Sequence, residues 1–353
     1  MRREIEAIPA VVERFLAEGG DEVAAAAAAI RAANPPFVAL VARGTSDHAA
    51  LHLRYLIEAT LGIPTGLVAP SITTIYGASI DWRPGVVIAV SQSGRSPDLV
   101  AVIDAARDAG ATTVTIANDA DSPLAKAAAH VIDCRAGEER AVAATKSYVA
   151  QLAAGAALVA ALDSRGTLTA ALPTMPDVLA SALGAATRSV DDDAQIVEEF
   201  ATSERSIVIS RGFDYATALE TALKLKETGR LFAEGYSSAD FSHGPVVLSA
   251  PGVPVLAIRP PGAMGRAVGE GIDAARAAGG RPWVVIAGNT ESGDRGADGA
   301  AMTIALPLPA NLPDALAPLA TILPGQLLAE AVARRRGYDP DAPPGLHKVT
   351  LTR

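Results

Sequence analysis

The segment Val86-Val87-Ile88-Ala89-Val90-Ser91-Gln92-Ser93-Gly94-Arg95-Ser96 joins an apolar run to a turn rich in hydroxyl groups. The apolar run predicts a buried strand, and the pattern from Pro97 to Ala109 predicts a helix that follows it. The turn offers serine hydroxyls, an amide side chain and the N–H groups of a helix N-terminus, which together suit a phosphate dianion. The alternative interpretation is a polar loop in which a serine caps the helix.

The composition limits the class of protein. The chain has 353 residues, 50% hydrophobic and only 4% aromatic, which favours helices packed on sheets, and its length suggests about two domains. The net charge of −9 argues against a general nucleic-acid binder. The N-terminal residues contain no long apolar stretch, so we expect no signal peptide, no membrane span and a cytoplasmic location. The single cysteine, Cys134, excludes an intrachain disulfide, and we expect it in the core.

Two halves of the chain follow the same order of elements. A strand ending in Arg43-Gly44 precedes a helix, and so does a strand ending in Arg211-Gly212. The next strands also correspond, at residues 85–94 and 252–262. This internal duplication predicts two parallel sheets, each covered by helices on both faces. The second half has Arg259-Pro260-Pro261-Gly262 in place of the serine-rich turn, so only the first half keeps the candidate phosphate turn.

Charged residues that could carry chemistry lie in the second half. Glu220, Lys224 and Glu227 are spaced by four and three residues and share one face of a predicted helix. A solvated face with salt bridges explains the same spacing. His243 lies in a turn before a predicted strand at residues 246–248, where it could be a cap or a general acid or base.

Two histidines of the first half have the spacing of a metal-binding pair. His48 and His52 lie four residues apart on a predicted helix, but no nearby carboxylate–histidine set completes a site. We therefore expect no metal.

These motifs resemble the double sugar-isomerase (SIS) domain family, which includes the isomerase half of glucosamine-6-phosphate synthase and its stand-alone relatives. Each motif is weak alone, but together they follow the family order over nearly the whole chain. The motifs are Arg43-Gly44-Thr45-Ser46, Ser91-Gln92-Ser93-Gly94, Glu139 with Val142-Ala143-Ala144-Thr145-Lys146, Leu219-Glu220 with Ala222–Glu227, Ala233-Glu234, Ser242-His243-Gly244-Pro245 and Lys348.

The resemblance implies an α/β fold of two tandem SIS domains, each a three-layer αβα sandwich around a mainly parallel, flavodoxin-like sheet. An irregular C-terminal tail is expected to follow them. The expected segments are N-terminal helices at residues 1–34, a first SIS domain for sugar-phosphate binding at 35–185, a second SIS domain with the catalytic helix and loop at 186–335, and the tail at 336–353.

The resemblance also implies a role for each site residue. Glu227 corresponds to the base that moves a proton between C1 and C2 of the open-chain sugar, and Lys224 to a cation that neutralises developing charge. His243 corresponds to the residue that opens the sugar ring, which the neighbouring subunit supplies in the synthase. Lys348 corresponds to a tail lysine that can form a Schiff base with the keto sugar. The substrate-binding positions are Thr45, Ser46, Ser91, Gln92, Ser93, Ser96, Glu139 and the backbone of Val142.

The implied activity is that of a deaminase/isomerase converting a hexosamine 6-phosphate, with glucosamine 6-phosphate as the first choice, to fructose 6-phosphate and ammonia. The synthase has a glutaminase domain that opens with a cysteine directly after the initiator methionine. Here position 2 is Arg2 and the sugar-domain pattern begins within the first tens of residues, so glutamine hydrolysis is not expected. Arg95 and Arg43 depart from the family pattern, which leaves glucosamine, galactosamine and fructosamine phosphates open. No metal or organic cofactor is needed. The expected partners are a phosphosugar and a second copy of the chain, as a homodimer sharing His243, with no nucleic acid or membrane.

Alternative functions remain open at this point. They are a glutaminase-less aminotransferase/isomerase in the synthetic direction, a fructosamine-6-phosphate deglycase and a non-catalytic sugar-phosphate sensor. The sensor is disfavoured because the set of Glu227, His243 and Lys348 is intact and no basic helix-turn-helix precedes residue 35. A short isomerase such as arabinose 5-phosphate isomerase is disfavoured by the duplication and the tail lysine.

Overall fold

The computed structural model describes residues 1–288 and 303–348 and shows two compact units. Residues 289–302 of the predicted second domain and 349–353 of the predicted tail lie outside the described residues. The first unit consists of residues 8–139 and 146–175 with His347 and Lys348, and the second of residues 1–7, 140–145 and the described residues between 176 and 346.

Each unit is built on one parallel sheet. Within the described residues the strands are β1 Val38–Val41, β2 Thr65–Leu67, β3 Val86–Ser91, β4 Thr112–Ala117, β5 His130–Asp133, β6 Arg205–Ser210, β7 Phe232–Ser237, β8 Pro254–Arg259, β9 Arg281–Ala287 and β10 Thr303–Leu306.

Helices connect these strands and flank the sheets. The α-helices described are α1 Arg2–Glu6, α2 Ile8–Glu18, α3 Gly20–Ala33, α4 Thr45–Leu61, α5 Ser71–Thr74, α6 Pro97–Asp108, α7 Pro123–Ala127, α8 Lys146–Leu162, α9 Thr167–Ala171, α10 Met175–Asp192, α11 Ala194–Thr202, α12 Tyr215–Gly229, α13 Ser238–Ser242, α14 Gly262–Ala277 and α15 Pro318–Arg335. Short 3₁₀ turns lie at Leu172–Thr174, Gly212–Asp214, Pro245–Leu248 and Asp314–Leu316.

The first sheet has the strand order β2-β1-β3-β4-β5, with all neighbours parallel. One face packs on α6, where Val87 and Ala89 meet Val102 and Ile103. Helices α3, α4 and α8 also contact the strands. Ile88 of β3, whose side chain alternates with those of Val87 and Ala89, lines a small cavity with Ile57 of α4 and Leu158 of α8, so these helices cover the other face. Because both faces are covered, β3 is buried at every residue and its sequence is a continuous apolar run. The order places the switch point of the sheet between β1 and β3, where ligands bind in folds of this kind.

The second sheet repeats this arrangement. Its order is β10-β9-β8-β6-β7, which is the order of the first sheet when the corresponding strands are compared. On one face Ile209 and Ala257 pack against Val268 and Ile272 of α14. Helices α12 and α15 also contact strands of this sheet. The α/β fold of two parallel sheets predicted from the duplication is therefore confirmed.

Helix α15 and the turn before it, Asp314–Arg335, are long and apolar enough to cross a membrane by length and composition alone. Within the described residues it is the one helix that meets this test, and 94% of its most apolar window is buried inside the protein. That burial is typical of a core helix.

Candidate active site

The serine-rich turn follows β3 at the switch point of the first sheet. Ser91 Oγ accepts a hydrogen bond from the Gly94 N–H at 3.0 Å, and Ser93 Oγ accepts one from the Arg95 N–H at 3.3 Å. Ser96 is the N-cap residue of α6 by position, but its hydroxyl makes no capping hydrogen bond. The capping interpretation is therefore wrong for this side chain, and Ser96 and Gln92 are both partly exposed at the turn.

The conformation of this turn depends on Gly94. Its φ is +62°, and a β-carbon at this position would lie 2.1 Å from the Oγ atom of Ser122. Any side chain would therefore be strained and would also clash. The carbonyl of Gly94 accepts a hydrogen bond from the Leu124 N–H at 3.0 Å, which holds the turn against the start of α7.

The loop after β1 reaches the same edge of the sheet, because β1 and β3 are parallel neighbours. It leads into α4, whose first residues are Thr45 and Ser46. Ser46 is buried, and its Oγ accepts a hydrogen bond from Nε2 of Gln151 at 3.0 Å. Two of the predicted binding segments thus lie at one edge of one sheet, and their binding role stays a prediction.

Two arginines belong to these segments, Arg43 in the loop before α4 and Arg95 in the serine-rich turn, and both are ion-paired. The Nε and Nη2 atoms of Arg43 lie 2.9 Å and 2.8 Å from Oδ2 of Asp98, which is 1% exposed in the first turn of α6. The Nη2 atom of Arg95 lies 3.2 Å from Oδ2 of Asp119, and both of these side chains are more exposed than Asp98. Arg43 is therefore held in the more rigid setting.

Glu139 and the tail lysine meet in the first unit. The buried carboxylate of Glu139 accepts hydrogen bonds from the N–H of Ser147, at 3.2 Å, and from its hydroxyl. The Nζ atom of Lys348 lies 3.6 Å from Oε2 of Glu139. Val142 belongs to the second unit, where its backbone N–H donates to the carbonyl of Asp341 at 3.0 Å. The N–H of Val142 is thus already engaged.

Helix α12 of the second unit carries the predicted base. Lys224 is fully buried, with its Nζ atom 3.4 Å from Oε1 of the equally buried Glu220 and ion-paired with Glu227. Burial alone would lower the pKa of Lys224, but the attraction of the two carboxylates outweighs it, so the pKa is raised. The interpretation as a solvated charged face is therefore wrong. Glu227, 25% exposed, is the member of the trio that reaches solvent.

Close packing sets the position of α12. A β-carbon on Gly235 of β7 would lie 2.8 Å from Cα of Leu219, so only glycine lets the helix and the strand approach this closely. At the start of the helix, buried Asp214 accepts hydrogen bonds from the hydroxyls of Thr217, at 3.1 Å, and Thr321. Burial raises the pKa of Asp214 to about 7, an effect these two hydrogen bonds only partly offset.

His243 is exposed and directly follows α13. Its backbone N–H donates to the carbonyl of Asp240 at 3.1 Å. The strand predicted at residues 246–248 is wrong, because Pro245–Leu248 forms a 3₁₀ turn and Val247 is 77% exposed. An apolar run predicts a strand only where a sheet covers it, and this run lies on the surface.

The turn of the second sheet that corresponds to the serine-rich turn is closed by its own residues. Arg259 Nε donates to the carbonyl of Gly265 at 3.1 Å, and Pro261 is the N-cap residue of α14. A proline has no N–H to offer a phosphate. This turn lacks the donors that the first sheet presents.

Within residues 1–288 and 303–348, no group of three or more His, Cys, Asp or Glu side chains is arranged to hold a metal ion. His48 and His52 both lie on α4, and His52 is fully buried. Cys134 is buried, and burial raises the pKa of its thiol, which is the behaviour of a core cysteine.

The SIS domain family matches residues 34–161 and 199–321 of the chain. The glutamine–fructose-6-phosphate aminotransferase (isomerizing) of Methanothermobacter thermautotrophicus is 38% identical over 314 residues, covering 88% of this chain and 51% of that protein. The chain thus spans about half the length of the curated relatives it matches.

Solved structures show the same similarity. A candidate phosphosugar isomerase from Silicibacter pomeroyi DSS-3 is 37% identical, with a TM-score of 0.86 over 97% of this chain and 99% of that one. A glucosamine-6-phosphate deaminase from Thermotoga maritima has a TM-score of 0.75 over 99% of both chains but only 19% identity, which shows the fold alone.

The chain belongs to the SIS domain family. Its two sheets make it a double-SIS protein related to the isomerase domain of glutamine–fructose-6-phosphate aminotransferase. The resemblance drawn from the motifs is confirmed at this level.

Sequence reasoning missed several residues that support the site. Asp98, Gln151 and Ser147 hold Arg43, Ser46 and Glu139 in place. An acidic residue in the first turn of α6 was a weak signal for Asp98, since such residues favour helix N-termini. Gln151 carried no signal, because it lies 105 residues from its partner.

Proposed function

We propose that the protein is a SIS-type phosphosugar isomerase that deaminates a hexosamine 6-phosphate, with glucosamine 6-phosphate as the first candidate. The products are fructose 6-phosphate and ammonia. The observation that carries this proposal is the setting of Glu227, a partly exposed carboxylate ion-paired with a buried lysine on α12. A carboxylate held in this way can take a proton from one carbon and return it to the next.

Similarity supports the proposal. The relative from Methanothermobacter thermautotrophicus is named for fructose 6-phosphate chemistry, and the Silicibacter pomeroyi structure is described as a candidate phosphosugar isomerase. Since this chain spans about half of the curated relatives, we carry over only the sugar chemistry and not glutamine hydrolysis.

The proposed reaction is a proton transfer between C2 and C1 followed by hydrolysis. After ring opening, Glu227 takes the proton from C2 of the open-chain aldose, and the electron pair forms an enolamine. The C1 oxygen takes up a proton to become a hydroxyl group, and the nitrogen gives one up. Glu227 returns the C2 proton to C1, which leaves an imine at C2. The Lys348 amine adds to C2 of this imine, and the bond to the original nitrogen breaks, which releases ammonia and leaves an iminium between Lys348 and C2. Water then hydrolyses this iminium to the ketone of fructose 6-phosphate and the free lysine. Lys224 would stabilise the negative charge that develops beside the reacting oxygen.

The other predicted residues take supporting roles in this proposal. Thr45, Ser46, Ser91, Gln92, Ser93 and Ser96 would bind the phosphate, and His243 would open the ring. In the reverse direction the same Lys348 iminium forms from the keto sugar, which makes the C1 proton easier to remove. We also propose a homodimer that shares His243, since this residue and the neighbouring Val247 are both exposed.

The same residues would catalyse the reverse reaction, because a single set of groups serves both directions. The 38% identity to an aminotransferase favours testing this direction as well. Free ammonia would then replace the nitrogen that a glutaminase domain supplies. The physiological direction would depend on the supply and removal of ammonia.

The first experiment is incubation of the protein with glucosamine 6-phosphate, measuring ammonia and fructose 6-phosphate together. Release of both in equal amounts supports the proposal. Unphosphorylated glucosamine is the matched control and should give neither product. If no product forms while glucosamine 6-phosphate still binds, the galactosamine and fructosamine phosphates are compared next, and failure of all three favours the sensor.

A further inference from the structure

Arg43 connects the two loops that border the switch point of the first sheet. It lies just before α4, whereas Asp98 is the second residue of α6. The Nε and Nη2 atoms of Arg43 contact the same carboxylate oxygen of Asp98, at 2.9 Å and 2.8 Å. This ion pair therefore links the loop that leads to Thr45 with the helix that follows the serine-rich turn.

The guanidinium of Arg43 is oriented by a partner that is itself fixed. Asp98 is 1% exposed, and its Oδ1 atom accepts a hydrogen bond from the Leu99 N–H at 2.9 Å. A guanidinium carries five N–H donors in one plane, and Asp98 engages one edge of it. The Arg43 side chain is 49% exposed, so donors remain on its solvent side.

We propose that this exposed edge binds the phosphate group of the sugar, so that Arg43 is a specificity-determining residue and Asp98 its positioning residue. The inference rests on the proposed function, because it requires a phosphosugar at the turn formed by Ser91–Ser96. The planar fork of an arginine matches two phosphate oxygens, which a serine hydroxyl cannot do.

Arg43 would contribute oriented hydrogen-bond donors to the phosphate rather than a net positive charge. A second carboxyl group, that of Asp47 in the first turn of α4, also interacts electrostatically with Arg43. Burial raises the pKa of Asp47, and His48 and Arg43 only partly offset this. Because Asp98 neutralises most of the charge of Arg43, the net positive charge beside the turn is small. Arg43 would therefore act through N–H donors that Asp98 orients towards the phosphate.

Arg95 provides a matched control. It lies within the serine-rich turn, is not one of the predicted binding positions and carries the same charge, but it contacts Asp119 at 3.2 Å through one nitrogen and is 60% exposed. An arginine held this loosely adds little beyond screened attraction.

The test is isothermal titration with glucitol 6-phosphate, an open-chain analogue that cannot be isomerised. Arg43→Met should weaken its binding roughly tenfold to a hundredfold, the loss expected for a charge-assisted hydrogen bond. Arg43→Lys should recover only part of this loss, and Arg95→Met should change the affinity by less than about threefold. Asp98→Asn should also weaken binding, although it removes a negative charge. In turnover assays the Arg43 and Asp98 variants should raise KM and leave kcat nearly unchanged.

The outcomes separate this inference from the proposed function. The double variant Ser93→Ala/Ser96→Ala reports on the turn itself. If that variant loses affinity while Arg43→Met does not, Arg43 is excluded as a phosphate ligand, and the proposed binding role of the serine-rich turn is retained. Equal losses for Arg43→Met and Arg95→Met, or tighter binding by Asp98→Asn, also overturn the inference. If the wild-type protein does not bind the analogue, the proposed function fails and the inference with it. Thermal melting of each variant confirms that it is folded.

Discussion

The Nζ atom of Lys348 lies 3.6 Å from Oε2 of Glu139, although the two residues are more than two hundred positions apart in the chain. Glu139 is buried and also accepts two hydrogen bonds from Ser147 at the start of α8. The carboxylate therefore fixes the tail lysine to a rigid helix. In the proposed mechanism this pair would hold the amine that attacks C2 of the sugar.

Replacing Glu139 should release the tail lysine. We expect Glu139→Gln to lower kcat by roughly tenfold to a hundredfold, because small displacements of a reacting group carry costs of this size. The measurement is steady-state turnover, together with borohydride trapping of the iminium on Lys348 followed by mass spectrometry. Ser147→Ala is the control, since it removes a hydrogen bond and keeps the charge of Glu139. Undiminished trapping in Glu139→Gln would exclude this role.

The base assignment depends on Glu227. We expect Glu227→Gln to abolish turnover while glucosamine 6-phosphate still binds, because an amide cannot accept the C2 proton. Loss of turnover without loss of affinity, measured by titration, is the expected pattern. Glu270→Gln, an exposed glutamate on α14, should behave like the wild type. Normal turnover in Glu227→Gln would remove this residue from the mechanism.

The buried charges of α12 should appear in the free energy of unfolding. Lys224→Met leaves Glu220 buried without its cation, so we expect a loss of about 3–5 kcal/mol in urea unfolding. The double variant Glu220→Gln/Lys224→Met should recover most of it. Lys226→Met on the same helix should cost less than about 1 kcal/mol, because its ion pair with Glu234 is exposed. If Lys224→Met and Lys226→Met lower the free energy of unfolding equally, the buried pair contributes no more to stability than the exposed one.

The pKa of Asp214 predicts a pH dependence of stability. In the unfolded chain this carboxyl loses its proton near its ordinary pKa of 3.8, whereas burial keeps it protonated up to about pH 7 in the folded protein. The folded state binds more protons between these values, so the free energy of unfolding should fall as the pH rises, by up to about 4 kcal/mol.

Asp214→Asn tests this expectation, because an amide mimics the neutral carboxyl group. The variant should lose this contribution to the pH dependence and should be more stable than the wild type near pH 8. Denaturant unfolding at several pH values provides the measurement, with Asp177→Asn on the exposed side of α10 as the control. A wild type and an Asp214→Asn variant with the same pH profile would contradict the raised pKa.

Local patterns predicted the elements of the fold well, and failed where burial had to be known. The run Val86–Val90 predicts β3 because a strand covered on both faces must be apolar throughout. The run at residues 246–248 looks similar but lies on the surface as a 3₁₀ turn, since no sheet covers it. The spacing of Glu220, Lys224 and Glu227 predicted that they share one face of a helix. It did not predict that Lys224 is buried.

The sequence by itself determined the strand–helix alternation, the duplication and the serine-rich turn, because periodicity, glycine and helix starts act over a few residues. Only the tertiary structure decided which charges are buried and which distant groups meet. The contacts of Lys348 with Glu139 and of Gln151 with Ser46 join segments over a hundred residues apart. Such pairs depend on how sheets and helices pack, and no local propensity specifies that packing.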